Sequence, residues 1–184
     1  MRGEETPRLG LFDELCGAGP HTVCLPGTHS KWATVGGGRI SAFHTAMTGE
    51  LYALLKQHSL LGALMGHDAG AATEDGPAFE LGVRTSSDAG GLLSHLFSVR
   101  TRGLFGQLSA AQLPSYLLGL LIGHELQGLL ADAQHVHLIG SEALLQRYRR
   151  ALALRDVDAQ LHGEAFAARG LYRLAVAARL TSAA

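Results

Sequence analysis

The sequence predicts an α/β fold in which a mixed five-stranded sheet has helices on both faces and carries a helical insertion. Three observations lead to this prediction: strand-like residues 21–45, helical periodicity over residues 77–134, and a closing β-α-β-α order. The chain has 184 residues, of which 47% are hydrophobic and 17% charged. That length and composition suit one domain with a substantial core.

The first third of the chain is predicted to contain a short helix and three strands. The helix covers residues 3–15, where acidic side chains in the first turn complement the helix dipole. A Gly36-Gly37-Gly38 turn is expected to join the second and third strands as a hairpin. The three predicted strands are His21–Leu25, Lys31–Val35 and Arg39–His44.

The middle of the chain is predicted to be helical. Thr48 is the expected N-cap of a helix that ends at Gly62, and a small-residue loop follows over residues 63–76. Glycine in a helix interior costs about 1 kcal/mol relative to alanine, so Gly119, Gly123 and Gly128 indicate close packing or a ligand near the backbone. The further predicted helices are Pro77–Thr85, Asp88–Arg100 and Ser109–Gln134.

The last third is predicted to alternate strands and helices. The buried strand is His135–Ile139, and an edge strand is expected at Asp156–Leu161. The helices are expected at Glu142–Leu152 and Gly163–Leu180. We see no repeat and no linker, and we therefore expect residues 1–184 to form one domain.

Charge and cysteine content exclude several classes of function. A net charge of −1, with no long run of like charge, does not favour a nucleic-acid partner. The chain shows no signal-peptide segment and no apolar stretch long enough to span a bilayer. Two cysteines are too few for a disulfide framework, so we expect a cytoplasmic protein.

The stretch "CLPGTHSKW" is a candidate phosphate-binding turn between two strands. Gly27 lets a phosphate approach the backbone, Thr28 and Ser30 offer hydroxyls, and Lys31 offers positive charge. The spacing differs from a Walker A loop. An ordinary polar hairpin turn is the alternative explanation, and the motif by itself leaves both open.

Three other motifs carry weaker signals. Gly140 and Ser141 join a buried strand to a helix, where nucleotides often bind, although an ordinary capped turn explains them equally well. Thr48 and Glu50 could hold a polyhydroxy substrate or merely begin a helix. Glu4 and Glu5 could supply a general base or belong to a solvated helix start.

Two histidine patterns are considered and disfavoured as sites. His135 and His137 share a strand face and could reach one metal ion, but no third ligand is evident. His29 beside Ser30 lacks the sequence context of a hydrolase.

The segments "MRGEET", "LPGTHSKW", "AMTGELYALLKQHSLLG", "LLIGHEL" and "LIGSEALLQRY" occur in this order along nearly the whole chain. Together they resemble the 2-dehydro-3-deoxygalactonokinase family of sugar-acid kinases. The resemblance implies a ribonuclease-H-like, actin-like ATPase lobe. It further implies transfer of a phosphoryl group from ATP, with Mg²⁺, to the 6-hydroxyl of 2-dehydro-3-deoxy-D-galactonate.

The resemblance also assigns roles to the residues named above. It makes Glu4 the candidate catalytic base and places phosphates at Gly27, Thr28, Ser30 and Lys31. The adenosine part of the nucleotide would meet Gly140 and Ser141. The sugar acid would meet the substrate residues, which are Arg2, Glu5, Thr48 and Glu50.

The sequence departs from the family pattern at its N-terminus, where Pro7 replaces the glutamine usual after "GEET". It also lacks the Asp-Trp-Gly-Thr turn with which family members begin, so the resemblance implies that residues 1–184 are only the C-terminal lobe. We therefore expect little or no kinase activity from this chain by itself. An exposed cleft face would favour a homo-oligomer. The alternative is a non-catalytic module that binds a sugar acid or self-associates.

Overall fold

The computed structural model describes residues 19–37, 39–66, 76–130 and 133–163. The helix predicted at residues 3–15, most of the predicted loop and all but Gly163 of the last helix lie outside them. The chain forms two compact units. The sheet unit contains described residues 19–37, 39–46, 133–149 and 157–163, and the helical unit contains 47–66, 76–130 and 150–156.

In the part of the chain that the structure describes, the sheet unit is built on five strands in the order β3-β2-β1-β4-β5. β1 is antiparallel to β2 and β2 to β3, whereas β4 is parallel to β1 and β5 to β4. The predicted mixed sheet is therefore confirmed, and the last strand does lie at an edge. The strands are β1 (His21–Leu25), β2 (Ser30–Gly36), β3 (Arg39–Ala46), β4 (His135–Ile139) and β5 (Asp158–His162).

The central strand β1 is buried on both of its faces. Val23 and Leu25 belong to an apolar cluster on one face, and Cys24 between them is fully buried on the other. A parallel pairing in the middle of a sheet usually has both faces covered, as the β1–β4 pair has here. β3, by contrast, is exposed from Arg39 to Thr45.

Within its described residues, the helical unit contains four helices and a short 3-10 turn at Gly62–Leu64. A fifth helix, α5 (Glu142–Ala153), follows β4, and its residues up to Arg149 belong to the sheet unit. No helix among the described residues combines the length and hydrophobicity needed to cross a membrane. The four helices are α1 (Thr48–His58), α2 (Gly76–Thr85), α3 (Gly91–Leu104) and α4 (Leu113–Leu129).

The predicted bounds of α3 and α4 differ from those observed. α3 begins at Gly91 rather than Asp88, because the N-cap residue Gly90 has a φ angle of 128°, which interrupts a right-handed helix at that point. α4 is shorter than predicted at both ends and has Pro114 in its first turn, where the missing N–H is harmless.

The predicted capping role of Thr48 is also wrong. The N-cap residue of α1 is Met47, and no side chain caps this helix end. Thr48 is buried, and its hydroxyl donates instead to the carboxylate of Glu125 on α4. Because the Thr48 hydroxyl binds the buried Glu125 carboxylate, it does not cap the unpaired backbone amides at the start of α1.

The close packing predicted from glycines in α4 is confirmed for two of the three. A Cβ atom on Gly119 would overlap the Phe79 carbonyl oxygen, and one on Gly123 would overlap the Ser86 hydroxyl. Gly82 of α2 faces the Tyr116 carbonyl in the same way, so the α2 and α4 backbones touch. Gly128, the third glycine, faces open space.

Candidate functional site

The candidate phosphate-binding turn lies at one end of the β1–β2 hairpin. The ladder between these strands ends with the pair Leu25 and Lys31, so Pro26 to His29 lie outside it. β4 runs parallel to β1, and its following turn at Gly140 lies at the same edge of the sheet. A Cβ atom on Gly140 would lie 3.8 Å from the Pro26 carbonyl oxygen, so the two glycine turns adjoin.

Gly27 has no structural requirement to be glycine. Among the described residues other than its chain neighbours, no heavy atom would lie within 4 Å of a Cβ atom placed on it, and its φ angle is not in the left-handed region. A side chain would therefore fit the fold and would project into open space. A glycine that neither packing nor backbone conformation demands fits a position where a ligand approaches the main chain.

Two polar side chains lie beside Gly27. Thr28 is exposed at the tip of the turn. Lys31 is 7% exposed, and its ammonium group donates a hydrogen bond to the His29 carbonyl oxygen at 3.1 Å. This contact holds a positive charge against the turn backbone, which suits an anionic ligand.

Ser30 is placed differently from the three other predicted phosphate-binding residues. It is completely buried, and its hydroxyl lies 2.8 Å from the Tyr148 hydroxyl on α5. The side chain therefore lies in the interior rather than at the rim of the turn. Because the Ser30 hydroxyl is completely buried and hydrogen-bonded to Tyr148, the structure also disfavours the hydrolase alternative with His29.

Gly140 and Ser141 connect β4 to the start of α5. The Gly140 amide donates to the His162 carbonyl oxygen at 3.2 Å, and the Ser141 carbonyl oxygen accepts from the Leu145 amide at 3.0 Å. The N-terminus of α5 therefore lies at the same sheet edge as the Gly27 turn. Helix N-termini and glycine turns at strand ends suit phosphorylated ligands in α/β proteins.

The predicted substrate residues fall partly in the helical unit and partly outside the described residues. Thr48 is buried and bonded to Glu125, and Glu50 is half-buried in the first turn of α1. Arg2, Glu4 and Glu5 lie outside the described residues. No pattern in the sequence indicates that Glu125, in the segment "LLIGHEL", binds the Thr48 hydroxyl.

The His135–His137 pattern belongs to a larger histidine group in the sheet unit. His137 Nδ1 lies 3.1 Å from His162 Nε2, and His137 Nε2 lies 3.3 Å from His21 Nδ1. Because each partner uses a different ring nitrogen of His137, these contacts form a hydrogen-bonded chain of imidazoles. Among the described residues, no group of three or more His, Cys, Asp or Glu side chains is arranged to hold a metal ion.

The pKa of His137 is lowered from its ordinary value of 6.5 to about 4. Burial is the larger cause, and the neighbouring imidazoles of His135, His162 and His21 add repulsion. His137 is therefore neutral at neutral pH. The sequence alone could not reveal this group, because β1, β4 and β5 bring its members together from distant positions.

Two adjoining glycine turns, a lysine and a helix N-terminus lie at one edge of the mixed sheet. Together they define an α/β protein suited to phosphorylated ligands. The chain belongs to the 2-keto-3-deoxy-galactonokinase family, whose model matches residues 1–174. This confirms the resemblance seen in the sequence.

Individual relatives carry matching names. A Rhizobium meliloti (strain 1021) protein named "Probable 2-dehydro-3-deoxygalactonokinase DgoK1" is 40% identical over 168 residues, which cover 86% of this chain and 54% of the relative. The 2-dehydro-3-deoxygalactonokinase of Escherichia coli (strain K12) is 35% identical over 161 residues, covering 86% and 53%. The chain thus spans about half the length of the curated relatives it matches.

A solved structure supports the same relationship. The crystal structure of a Sinorhizobium meliloti protein assigned as a 2-dehydro-3-deoxygalactonokinase superposes with a TM-score of 0.83 at 38% sequence identity. The match covers 97% of this chain and 60% of that one.

Proposed function

We propose that this chain supplies the nucleotide-binding part of a kinase that phosphorylates the 6-hydroxyl of 2-dehydro-3-deoxy-D-galactonate with ATP. Family membership supports the reaction and the substrate. The single observation that carries the proposal is the open space at Gly27, in a turn that adjoins a second glycine turn. That space allows phosphate oxygens to reach the backbone.

We further propose that residues 1–184 form one ribonuclease-H-like lobe of an actin-like ATPase, with residues of about 77–134 as its helical insertion. The strand order β3-β2-β1-β4-β5 supports this proposal, with its three antiparallel strands followed by two parallel ones. The chain order supports it too, since α1 to α4 lie between β3 and β4.

In this proposal each residue at the sheet edge has a distinct task. Amides near Gly27 and Thr28 orient the transferred and leaving phosphates, and the ammonium group of Lys31 offsets their negative charge. Gly140 and Ser141 receive the adenosine side of ATP. Ser30 does not touch phosphate but fixes the start of β2 through Tyr148.

The acceptor sugar acid is proposed to meet Arg2, Glu5 and Glu50. Glu4 is the proposed base that takes the proton from the 6-hydroxyl. Thr48 completes this set, and Glu125 fixes the direction of its hydroxyl. ATP and a small sugar acid are the proposed partners, and the cytoplasm is the proposed compartment.

The family resemblance predicts Mg²⁺ as the cofactor. When bound, the ion would neutralise charge on the phosphates of ATP, and it commonly takes only one or two protein carboxylates. No residue among those described is assigned to the ion.

The Gly27 turn can be tested with Gly27→Val. We expect at least a tenfold weaker affinity for ADP in isothermal titration calorimetry, because the isopropyl group fills the space needed by phosphate. The melting temperature should be unchanged, since a Cβ atom at this position meets nothing within 4 Å.

The matched control is Gly19→Val. Gly19 is exposed, precedes β1 at the opposite end of that strand, and also faces open space. The control should bind ADP like the unmodified chain. Equal ADP affinity for Gly27→Val and the unmodified chain would contradict the proposed phosphate site. Binding of the sugar acid without any nucleotide binding would favour the non-catalytic alternative.

A further inference from the structure

We propose that an apolar surface on α3 pairs two copies of this chain about a two-fold axis, and this inference is independent of the proposed catalytic function. We call it the α3 surface and define it by Leu93, Phe97, Leu104 and Phe105. These side chains are 84%, 54%, 58% and 78% exposed, respectively. Single exposed apolar residues are ordinary, but a contiguous group of large ones marks an interaction site.

The helix geometry places the α3 surface away from the core. At 100° per residue, Leu93, Phe97 and Leu104 point within about 40° of one another. Val99 points about 140° from the centre of that stripe and is completely buried. α3 is therefore apolar on two sides, although the helical unit covers only one of them. Phe105 extends the stripe directly after the last helical turn.

The α3 surface is self-complementary in an antiparallel arrangement. A two-fold axis between positions 98 and 99 places Leu93 of one copy opposite Leu104 of the other. The same axis places Phe97 opposite Arg100, where a guanidinium group can lie over an aromatic ring. A two-fold interface requires this kind of reciprocal matching, in which each contact occurs twice.

Arg100 is held in a position compatible with that role. One of its terminal nitrogens, Nη1, donates to the Leu60 carbonyl oxygen at 3.3 Å. The contact brings Leu60 beside the α3 surface. Leu60 is itself 52% exposed and therefore enlarges the apolar area. α3 carries no acidic residue, so no carboxylate would be buried when the two copies meet.

The available area is sufficient for a weak but specific dimer. At about 150–250 Å² for a fully exposed large side chain, the four residues offer roughly 400–700 Å² per copy. Two copies would together bury about 1,100 Å², which lies at the lower end of specific interfaces. We therefore expect a dimer with an affinity in the micromolar range.

Analytical ultracentrifugation of the whole chain over a range of concentrations tests the proposal. We expect a monomer–dimer equilibrium that the double variant Leu93→Asp, Phe97→Asp shifts to monomer by at least a hundredfold in dissociation constant. The control Leu54→Asp changes a similarly exposed residue on α1, 47% exposed, and should leave the equilibrium intact. Circular dichroism checks that all variants keep the fold.

Cross-linking tests the antiparallel arrangement. A mixture of chains carrying Leu93→Cys and chains carrying Leu104→Cys should form disulfide-linked dimers under mild oxidation, beyond those of the unmodified chain. Chains with Leu93→Cys alone should not. A monomer at about 100 μM, or a dimer that survives the double variant, would overturn the proposal. Efficient linkage through Leu93→Cys alone would overturn the antiparallel arrangement.

Discussion

At the scale of single residues, His137 shows how position determines chemistry. Its imidazole is nearly buried in the sheet unit and hydrogen-bonded through both ring nitrogens, to His162 and to His21. A proton added to this ring would have to be held next to other imidazoles and away from water. His137 therefore stabilises the fold when its imidazole is neutral.

We predict that the free energy of unfolding falls as the pH is lowered from 6.5 towards about 4. His137 has an ordinary pKa of 6.5 when unfolded and a pKa of about 4 when folded, so the unfolded state binds its proton first. The contribution is therefore complete above pH 6.5 and is progressively lost below it. Urea unfolding across this pH range measures the effect.

The comparison variant for this experiment is His137→Gln. It should show a smaller loss of stability over the same pH range, whereas His58→Gln, at an exposed position on α1, should behave like the unmodified chain. An identical pH dependence for His137→Gln and the unmodified chain would contradict the assignment.

The sequence predicts part of the candidate site at this scale. The apolar run that stops at Pro26 makes Gly27 and Thr28 recognisable as a turn, because local turn chemistry depends on neighbouring residues. Ser30 could not be separated from them, since its burial depends on Tyr148, which lies 118 positions away.

At the scale of elements, α2 and α4 approach until their backbones touch. Gly82, Gly119 and Gly123 lie at this contact, and each lacks the room for a methyl group. The gain in dispersion contacts between the helices offsets the low helix propensity of glycine.

We predict that Gly119→Ala lowers the free energy of unfolding by about 2–3 kcal/mol, because the added methyl group must displace the Phe79 carbonyl. Gly128→Ala in the same helix is the matched control. Gly128 faces open space, so this variant should gain up to about 1 kcal/mol from alanine's helix propensity. Guanidinium unfolding measures both changes, and a neutral Gly119→Ala would refute the backbone contact.

The elements themselves are largely predictable, but their ends are not. β4 begins and ends where the sequence predicts, since a short apolar run between polar residues has few alternatives. α1 ends four residues before Gly62, and α3 starts late. The late start of α3 reflects the positive φ angle of Gly90, which a hydrophobic pattern does not encode.

At the scale of the whole molecule, the relationship to longer relatives matters most for activity. Phosphoryl transfer requires the donor phosphate and the acceptor hydroxyl to be held in line. The chain spans about half the length of its curated relatives, and we therefore expect the groups described to supply only part of that arrangement.

We predict that the 184-residue polypeptide assayed by itself phosphorylates 2-dehydro-3-deoxy-D-galactonate weakly or not at all. A chimera in which it replaces the matching stretch of the Escherichia coli relative should be active in a coupled assay for ADP release. Gly27→Val in that chimera should lower activity at least tenfold. A folded but inactive chimera would argue against the proposed substrate, and full activity of the isolated polypeptide would contradict the expected dependence on further residues.

The parallel pairing of β1 with β4 also has a consequence for biosynthesis. Thr22 pairs with Val136, so the sheet cannot be completed until the ribosome has released everything between them. At ordinary translation speeds, that interval is on the order of ten seconds. During this time β1, β2 and β3 of the nascent chain can pair only with one another. A chaperone that binds β1 could act in this interval.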